Sequence, residues 1–245
     1  MIERESYKSL GWRGVKYAVR VLLRRKRIRM SGVVIDIDRA GWSRRMVREI
    51  YKENYERAES VILQRTLSPG DRLLEIGGAL GFIAVQASKI IGDDRVCVYE
   101  ANPNILKNAD ETFRRNGVNP QVRHAAVVSD RNAASKVRFR LCKDFWASAL
   151  SEDEEAGEVI EVDAVPLSQA VGDFSPTYVM MDVEGAETDI LTNTDMGGVK
   201  KLCVEIHPDK TSPKAISDMV RVLLEKGFLL DFSFCARDVL FFSRP

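Results

Sequence analysis

The sequence is poor in histidine and cysteine and has no long apolar run, and each shortage excludes a class of protein. A membrane-spanning helix needs about 18 uncharged apolar residues in a row, and no window of the sequence approaches this, so no transmembrane helix is expected. Charges also interrupt the apolar runs near the N-terminus, so no secretory signal is expected. The four cysteines, Cys97, Cys142, Cys203 and Cys235, form no CxxC pair and no zinc spacing. We therefore expect a reduced, cytoplasmic protein.

The composition is that of a globular chain with an unequal distribution of charge. A length of 245 residues suits one α/β domain with an extension, and 45% hydrophobic residues suffice for a core. Residues 1–30 contain ten Lys and Arg against two Glu, a net of +8, and the other residues hold 27 basic and 34 acidic side chains, a net of −7. The two parts are expected to meet different partners.

The basic N-terminal part has helical periodicity over residues 12–28. An apolar stripe contains Trp12, Val15, Val19 and Leu22, and basic residues follow the same spacing at Arg13, Lys16, Arg20, Arg24 and Arg27. Such a helix suits the headgroup region of an anionic membrane, so we predict a peripheral contact at the inner membrane face. The competing interpretation is a helix packed on the core or on a partner subunit, including a second copy of the chain.

Strand and helix patterns alternate after the turn Ser68–Asp71, which predicts a mostly parallel α/β sheet with helices on both faces. We divide the chain into a basic, helical extension at 1–68 and a second domain at 69–245. The predicted strands lie at 33–37, 73–76, 95–99, 122–128, 177–181 and 202–206. Helices are predicted at 12–28, 43–66, 82–91, 104–115, 184–193 and 213–226. Residues 136–165 hold two strand-like pieces around an acidic loop, and the chain ends in a hairpin of 228–234 and 239–242.

A glycine-rich turn between the first strand and helix of this domain is a candidate ligand site. Glu75 precedes Gly77, Gly78 and Gly81, and glycine turns at the carboxyl ends of parallel strands let ligands approach the backbone. The spacing does not match the Gly-x-Gly-x-x-Gly dinucleotide fingerprint. It resembles the S-adenosylmethionine (SAM) loop of Rossmann-like methyltransferases, in which the acidic residue faces the cationic methionine end. An ordinary glycine-rich turn is the alternative.

The next strand ends at Glu100, 19 residues after Gly81. A carboxylate at this point can accept hydrogen bonds from both ribose hydroxyls of a bound nucleoside. Ribose is common to SAM and NAD, so Glu100 supports a nucleoside without choosing one. A solvated glutamate at a strand end is the alternative.

An acidic cluster follows the strand at 177–181, and it carries a family resemblance. Asp182, Glu184, Gly185 and Glu187 resemble the Asp-x-Glu-Gly-x-Glu motif of the FkbM family of methyltransferases, and the likeness extends from about residue 55 to Pro208. It includes Glu100-Ala101-Asn102-Pro103, the stretch 126–130 and Val204-Glu205-Ile206-His207. The family more often has Ala-Asn-x where this sequence has Gly78-Ala79-Leu80. Asp182 alone would also suit an N-cap of the following helix.

The resemblance implies a seven-stranded Rossmann-like sheet whose antiparallel strand comes from the terminal hairpin. It also implies SAM-dependent O-methylation, often of sugars in polysaccharides or natural products. The residues it assigns to the cofactor are Glu75, Gly77, Gly78, Gly81, Glu100, Ala101, Asn102, Ala126 and Asp182.

Transfer of a methyl group to a hydroxyl requires a group that takes the hydroxyl proton. His207 or Asp182 are the candidates, with Glu184 beside them, because histidine accepts protons near neutral pH. Trp146, Ser148 and Glu205 are candidate contacts to a sugar acceptor. Asp182, Glu184, Glu205 and His207 also suit Mg²⁺ or Mn²⁺ by ligand type, but nothing in the sequence fixes a geometry, so we predict SAM without a metal.

Our prediction from sequence is therefore an O-methyltransferase that acts on a sugar hydroxyl of a glycan or a glycosylated natural product. Methylation of a non-sugar metabolite, a lipid or a protein is the nearest alternative. A nucleotide-binding oxidoreductase is disfavoured by the glycine spacing, and a non-catalytic scaffold at a membrane surface is a third interpretation. Nucleic-acid methylation is not expected, because residues 31–245 are acidic and lack an Asn-Pro-Pro-Tyr-type motif.

Overall fold

A computed structural model describes residues 7–38, 41–132, 134–141, 149–150 and 158–245 of the protein. The helices in these ranges are α1 (Tyr7–Leu22), α2 (Arg44–Tyr51), α3 (Arg57–Thr66), α4 (Phe82–Ile91), α5 (Pro103–Asn116), α6 (Leu167–Phe174), α7 (Glu187–Thr192) and α8 (Pro213–Glu225). The strands are β1 (Arg27–Met30), β2 (Val33–Asp36), β3 (Leu73–Ile76), β4 (Val96–Glu100), β5 (Gln121–His124), β6 (Ala126–Val128), β7 (Lys136–Leu141), β8 (Ala149–Leu150), β9 (Glu158–Pro166), β10 (Tyr178–Met181), β11 (Lys201–Glu205), β12 (Leu229–Leu230) and β13 (Val239–Ser243).

Seven strands form the central sheet, in the order β12-β13-β11-β10-β3-β4-β5. Neighbours among β11, β10, β3, β4 and β5 pair in parallel, and β13 pairs antiparallel with β11 and β12. The predicted seven-stranded, mostly parallel sheet with an antiparallel strand from the terminal hairpin is confirmed.

The central strands are buried on both faces because helices cover both. Every residue of β3, β4 and β10 is buried, which agrees with the continuous apolar runs expected of inner parallel strands. One core contains side chains of α2, α3, α4 and α5, and the other contains those of α6, α7 and α8. The hairpin β1–β2 and α2–α3 share the first core with the sheet, and the proposed domain boundary at 68/69 stays a prediction.

A second sheet stands beside the central one, with strand order β6-β9-β7-β8. The sequence predicted one strand over 122–128, and this was wrong because the chain changes sheets within it. β5 ends at His124 as the edge of the central sheet, and β6 begins at Ala126 and pairs with β9. Ala125 is the only residue between the two strands.

Three predicted helices have different limits in the structure. The helix at 12–28 ends at Leu22, because residues from Arg27 onward pair with β2 as a hairpin strand. The helix at 43–66 is interrupted between α2 and α3, where Glu53 and Glu56 adopt left-handed conformations. The helix at 184–193 begins only at Glu187, because Glu184 and Gly185 also have positive φ angles, of 57° and 113°.

Across the residues described, we find no helix with the length and apolar character needed to cross a membrane.

Candidate active site

A large cleft opens where the parallel strands end. Its volume is about 1010 Å³, and it is lined by the segments that follow β3, β4, β10 and β11 together with parts of α3 and β6. Ligands of open α/β sheets bind at the carboxyl ends of the strands, so this cleft lies where the sequence predicted a site. It is large enough for a nucleoside together with part of an acceptor.

The glycine turn after β3 forms one wall of the cleft. The backbone N–H groups of Gly77 and Gly78 donate to the carbonyl of Tyr99, at 2.9 and 3.2 Å. Gly77 has a φ of +83°, and a Cβ there would lie 1.7 Å from the carbonyl oxygen of Asp182, so the path admits only glycine. Through Gly77 the turn therefore packs directly against the segment that follows β10.

Not every predicted glycine lines the cleft. Gly77 does, but Gly78 and Gly81 lie behind its wall, where a Cβ would meet Val98 at 2.1 Å and the Phe113 ring at 2.4 Å. These two glycines permit close packing of the turn on β4 and α5. Their expected part in cofactor binding is therefore indirect, through the path of the turn.

Glu100 is buried at the end of β4 and already has backbone partners. Its two carboxylate oxygens accept hydrogen bonds from the N–H of Ala79, at 2.9 Å, and of Asn102, at 2.7 Å. Burial raises the pKa of Glu100, although the N–H donors of Asn102 and Ala79 oppose the shift. Each oxygen retains a further lone pair for a ligand hydroxyl. Ala101, Asn102 and Ala126 also line the cleft, and their contact with a cofactor stays a prediction.

Histidine and carboxylates meet after β10 and β11, which are adjacent parallel strands. Nε2 of His207 lies 3.2 Å from Oε2 of Glu184 and 3.6 Å from Oδ1 of Asp182. Glu184 also pairs with Lys210. The structure thus brings the three predicted catalytic side chains together, and Glu205 lines the cleft beside them.

Glu187 contacts His207, a role that was not predicted from the sequence. It is fully buried, its Oε1 lies 2.9 Å from Nδ1 of His207, and it accepts hydrogen bonds from the N–H of Val183 and Gly185. A carboxylate at Nδ1 favours a proton on that nitrogen and fixes the ring, so that the opposite nitrogen, Nε2, lies at the cleft next to Glu184 and Asp182. The signal in the sequence was the second glutamate of Asp-x-Glu-Gly-x-Glu.

The surrounding charges set the pKa of His207. Burial disfavours the imidazolium, but the hydrogen bond to Glu187 and the charges of Glu187, Glu184 and Glu205 outweigh this effect and raise the pKa. Burial would also raise the pKa of Glu187, and the hydrogen bonds from His207 and the Gly185 N–H reverse this and lower it.

Asp182 does not cap a helix. The residue before α7 is Ala186, and no side chain caps that helix. Oδ1 of Asp182 is inaccessible to solvent and lacks a hydrogen-bond partner among the residues that the structure describes. Burial, and then the charges of Glu205 and Glu184, raise its pKa well above the usual range. The side chain as a whole is 34% exposed and lines the cleft, so Asp182 can still contact a ligand there.

A second group of carboxylates lies beneath the glycine turn. Glu75, Glu56 and Glu59 line a small cavity together with Asp182 and Glu205. Oε2 of Glu75 is buried without a hydrogen-bond partner in the described part of the chain, and burial followed by the charge of Glu100 raises the pKa of Glu75. Glu56 and Glu59 come from the start of α3 and were not predicted. The cleft shares four of the carboxylates of this cavity as an acidic floor, namely Glu56, Glu59, Asp182 and Glu205, whereas Glu75 lines the small cavity and not the cleft.

Comparison with known families decides the identity of the chain. A family model described as the methyltransferase FkbM domain matches residues 77–230, which is well over half of the sequence. The chain belongs to the FkbM methyltransferase family. It is a SAM-dependent methyltransferase with a Rossmann-like fold, as the sequence predicted.

Several solved methyltransferases are similar to this FkbM-family chain at low sequence identity. One is the ribosomal protein L11 methylase of Lactobacillus delbrueckii subsp. bulgaricus, with 13% identity, a TM-score of 0.45, and coverage of 76% of this chain and 77% of the other. TYW2 of M. jannaschii, in complex with AdoMet, has 12% identity, a TM-score of 0.44, and coverage of 89% and 86%. The magnesium protoporphyrin IX methyltransferase of Synechocystis PCC 6803 has 12% identity, a TM-score of 0.46, and coverage of 83% and 85%. No curated protein matches the chain by sequence.

The residues that line the cleft of this methyltransferase have the chemistry that SAM requires. The acidic floor suits the cationic methionine end, and Gly77 lines the cleft with its backbone beside Asp182. Glu100 has lone pairs for ribose hydroxyls. The side chains therefore fit the cofactor.

Two other predictions concern a metal and the acceptor. Asp182, Glu205 and His207 each offer one atom within 4.8 Å of the others, which is close enough to surround a cation. His207 already lies within ion-pair distance of three carboxylates, those of Asp182, Glu184 and Glu187. That the enzyme needs no metal stays a prediction. Trp146 and Ser148, predicted to contact the acceptor, lie outside the described residues.

Proposed function

We propose that this FkbM-family enzyme methylates a hydroxyl of a sugar, in a glycan or a glycosylated natural product. The observation that supports an oxygen acceptor best is the pair formed by Glu187 and His207, which presents Nε2 to the cleft beside Asp182. A hydroxyl is a weak nucleophile with a high pKa, and it gains most from a base held in place at the moment of attack.

Residues on two sides of the cleft would hold the two substrates. Glu100, Ala101, Asn102 and Ala126 would contact the nucleoside of SAM, and the acidic floor would receive its methionine end. SAM supplies a methyl carbon that is already activated by a sulfonium. Most of the catalysis then consists of holding the acceptor oxygen in line with that carbon.

The remaining task of the protein is to remove one proton. With SAM bound, its methyl group would pass to the acceptor oxygen, the sulfonium would leave as a neutral thioether, and the hydroxyl proton would pass to Nε2 of His207. Asp182 and Glu184 lie within 3.6 Å of that nitrogen and are placed to orient the hydroxyl by accepting its hydrogen bond. Glu187 stabilises the imidazolium that results.

The test is a product assay with acceptors of several classes. The purified full chain is incubated with SAM and with glycosides, non-sugar alcohols, lipids and peptides, and products are identified by mass and by the position of the new methyl group. We expect O-methylated sugar only. Methylation of a non-sugar metabolite, lipid or peptide with no reaction on any glycoside would contradict the sugar assignment, and methylation on nitrogen would contradict the role of His207.

A further inference from the structure

Helix α1 exposes apolar side chains along one side. Trp12 is 69% exposed and Leu22 is 82% exposed, and Val15 and Val19 between them are also exposed. We refer to these four residues as the apolar face of α1. Isolated apolar residues on a surface are ordinary, but a contiguous row on one helix marks an interaction site.

The orientation of α1 is fixed by arginines that point inward. Arg13 donates to the backbone carbonyls of Lys52 and Glu53 and to the side chain of Asn54. Arg20 donates to the carbonyl of Tyr51 and to the carboxylate of Glu53. These acceptors lie at and just after the carboxyl end of α2, where the helix dipole favours a cation. Because Arg13 and Arg20 attach α1 to the rest of the protein, the apolar face on the opposite side of the helix is turned away from it.

The surface next to the apolar face is strongly basic. Arg24, Arg25, Lys26 and Arg29 are exposed in and beside the hairpin that follows α1, and Lys16 is exposed on the helix itself. The first 30 residues have a net charge of +8, and the rest of the chain has a net charge of −7. An anionic surface would attract this end of the molecule and repel the remainder, so it would also orient the enzyme.

This combination fits a lipid surface better than a second copy of the chain. A symmetric dimer through α1 would bring two surfaces of the same strong positive charge together. An apolar helix face bordered by Lys and Arg suits the boundary between headgroups and acyl chains.

We propose that α1 and the basic residues 24–29 bind the surface of a membrane that contains anionic phospholipid. Arg13 also lines the active-site cleft, but from the side of α1 that faces the protein, so the cleft would lie one helix diameter, roughly 10 Å, from the bound surface. Membrane binding does not depend on the proposed sugar acceptor. It does favour acceptors that are attached to lipid.

The test is co-sedimentation of the full chain with phosphatidylcholine vesicles, with and without phosphatidylserine. We expect binding only when phosphatidylserine is present, and loss of that binding at high salt. Each basic residue near an anionic surface contributes about a fivefold factor in affinity, so Arg24→Gln/Arg25→Gln should weaken binding by roughly 25-fold. The matched control, Lys214→Gln/Arg221→Gln, removes two exposed charges from α8 on the other side of the sheet and should leave binding unchanged.

The apolar face needs its own variant, Trp12→Glu/Leu22→Glu, which should abolish vesicle binding while leaving thermal stability unchanged, because both side chains are exposed. Absence of binding by the wild-type chain, or equal binding by all variants, would overturn the proposal. It would also be overturned by equal binding to vesicles without phosphatidylserine. Sedimentation velocity without lipid adds a further outcome, since a dimer that the Trp12→Glu/Leu22→Glu variant dissociates would show that a second copy covers this face.

Discussion

Replacement of Glu187 by glutamine should lower the pKa of His207. Glutamine has nearly the same shape and retains an acceptor for the N–H groups of Val183 and Gly185, so the main change is the loss of the charge 2.9 Å from Nδ1. A hydrogen bond to a charged partner contributes about 1.5–3 kcal/mol, and 1.36 kcal/mol corresponds to one pKa unit. Glu187→Gln should therefore lower the pKa of His207 by about one to two units.

The shortage of histidine makes this measurement direct. The only two histidines are His124, which is exposed, and His207, so an NMR titration of the ring protons gives two curves, and a His124→Gln variant assigns them. In the wild type the titration of His207 should lie above 6.5, its ordinary value. His124 serves as an internal reference within each sample.

The control variant is Asp189→Asn, which removes a charge from the exposed side of the same helix and should leave the titration of His207 unchanged. The neutral imidazole is the form that accepts a proton, so kcat/KM should rise with pH through the pKa of His207. In Glu187→Gln this rise should move to lower pH, with a lower maximum because the imidazole has lost the charge that orients it. An unchanged His207 titration in a folded Glu187→Gln protein would refute the assignment of Glu187 as its partner.

Further predictions concern the cofactor and the reacting groups. Gly77→Ala should weaken SAM binding by about 100-fold in calorimetry, because its Cβ would meet the carbonyl of Asp182. Gly117 also has a positive φ but open space around it, so Gly117→Ala should cost only stability, and equal effects on SAM binding would contradict the steric argument. Glu100→Ala should weaken SAM binding about 10- to 150-fold through loss of a charged acceptor, and an unchanged dissociation constant would exclude Glu100 from the site. Asp182→Asn should reduce turnover far more than SAM affinity, and a parallel fall in both would indicate collapse of the site. Dialysis against EDTA should leave activity intact, and loss of activity with rescue by Mg²⁺ would show that Asp182, Glu205 and His207 bind a metal.

The sequence predicted the parts of the fold that depend on local pattern. Strands β3, β4, β10 and β11 were found because buried parallel strands read as short apolar runs, and α4 was found because it follows the glycine turn at once. The break between α2 and α3 was missed because Glu53 and Glu56 adopt left-handed conformations that glycine or asparagine usually signals. The end of α1 was missed because Arg24 and Arg27 continue the basic spacing beyond Leu22, although Arg27 already belongs to β1.

The residues of the candidate site were likewise predicted where they depend on local pattern and missed where they depend on tertiary packing. Asp182, Glu184 and His207 were predicted because they follow strands that end at one edge of a sheet, and the structure brings them together. Glu56 and Glu59 could not be predicted, because they come from a helix whose packing against that edge is a tertiary result. Glu187 belonged to a visible motif, but its contact with His207 depends on the turn at Glu184 and Gly185, which no helical or strand periodicity encodes.

The cleft has walls from two different sheets, and the single residue between β5 and β6 is the point where the chain passes from one sheet to the other. The turn after β3 and the end of β4 belong to the central sheet, whereas Ala126, Val127 and Phe139 reach the cleft from the second sheet. That second sheet has its own small core around Val128, Phe139 and Val162. Changes in its connections would therefore alter one wall of the cleft while the turn after β3 and the end of β4 stay in place. A fold divided at Ala125 can vary that wall independently of the central sheet.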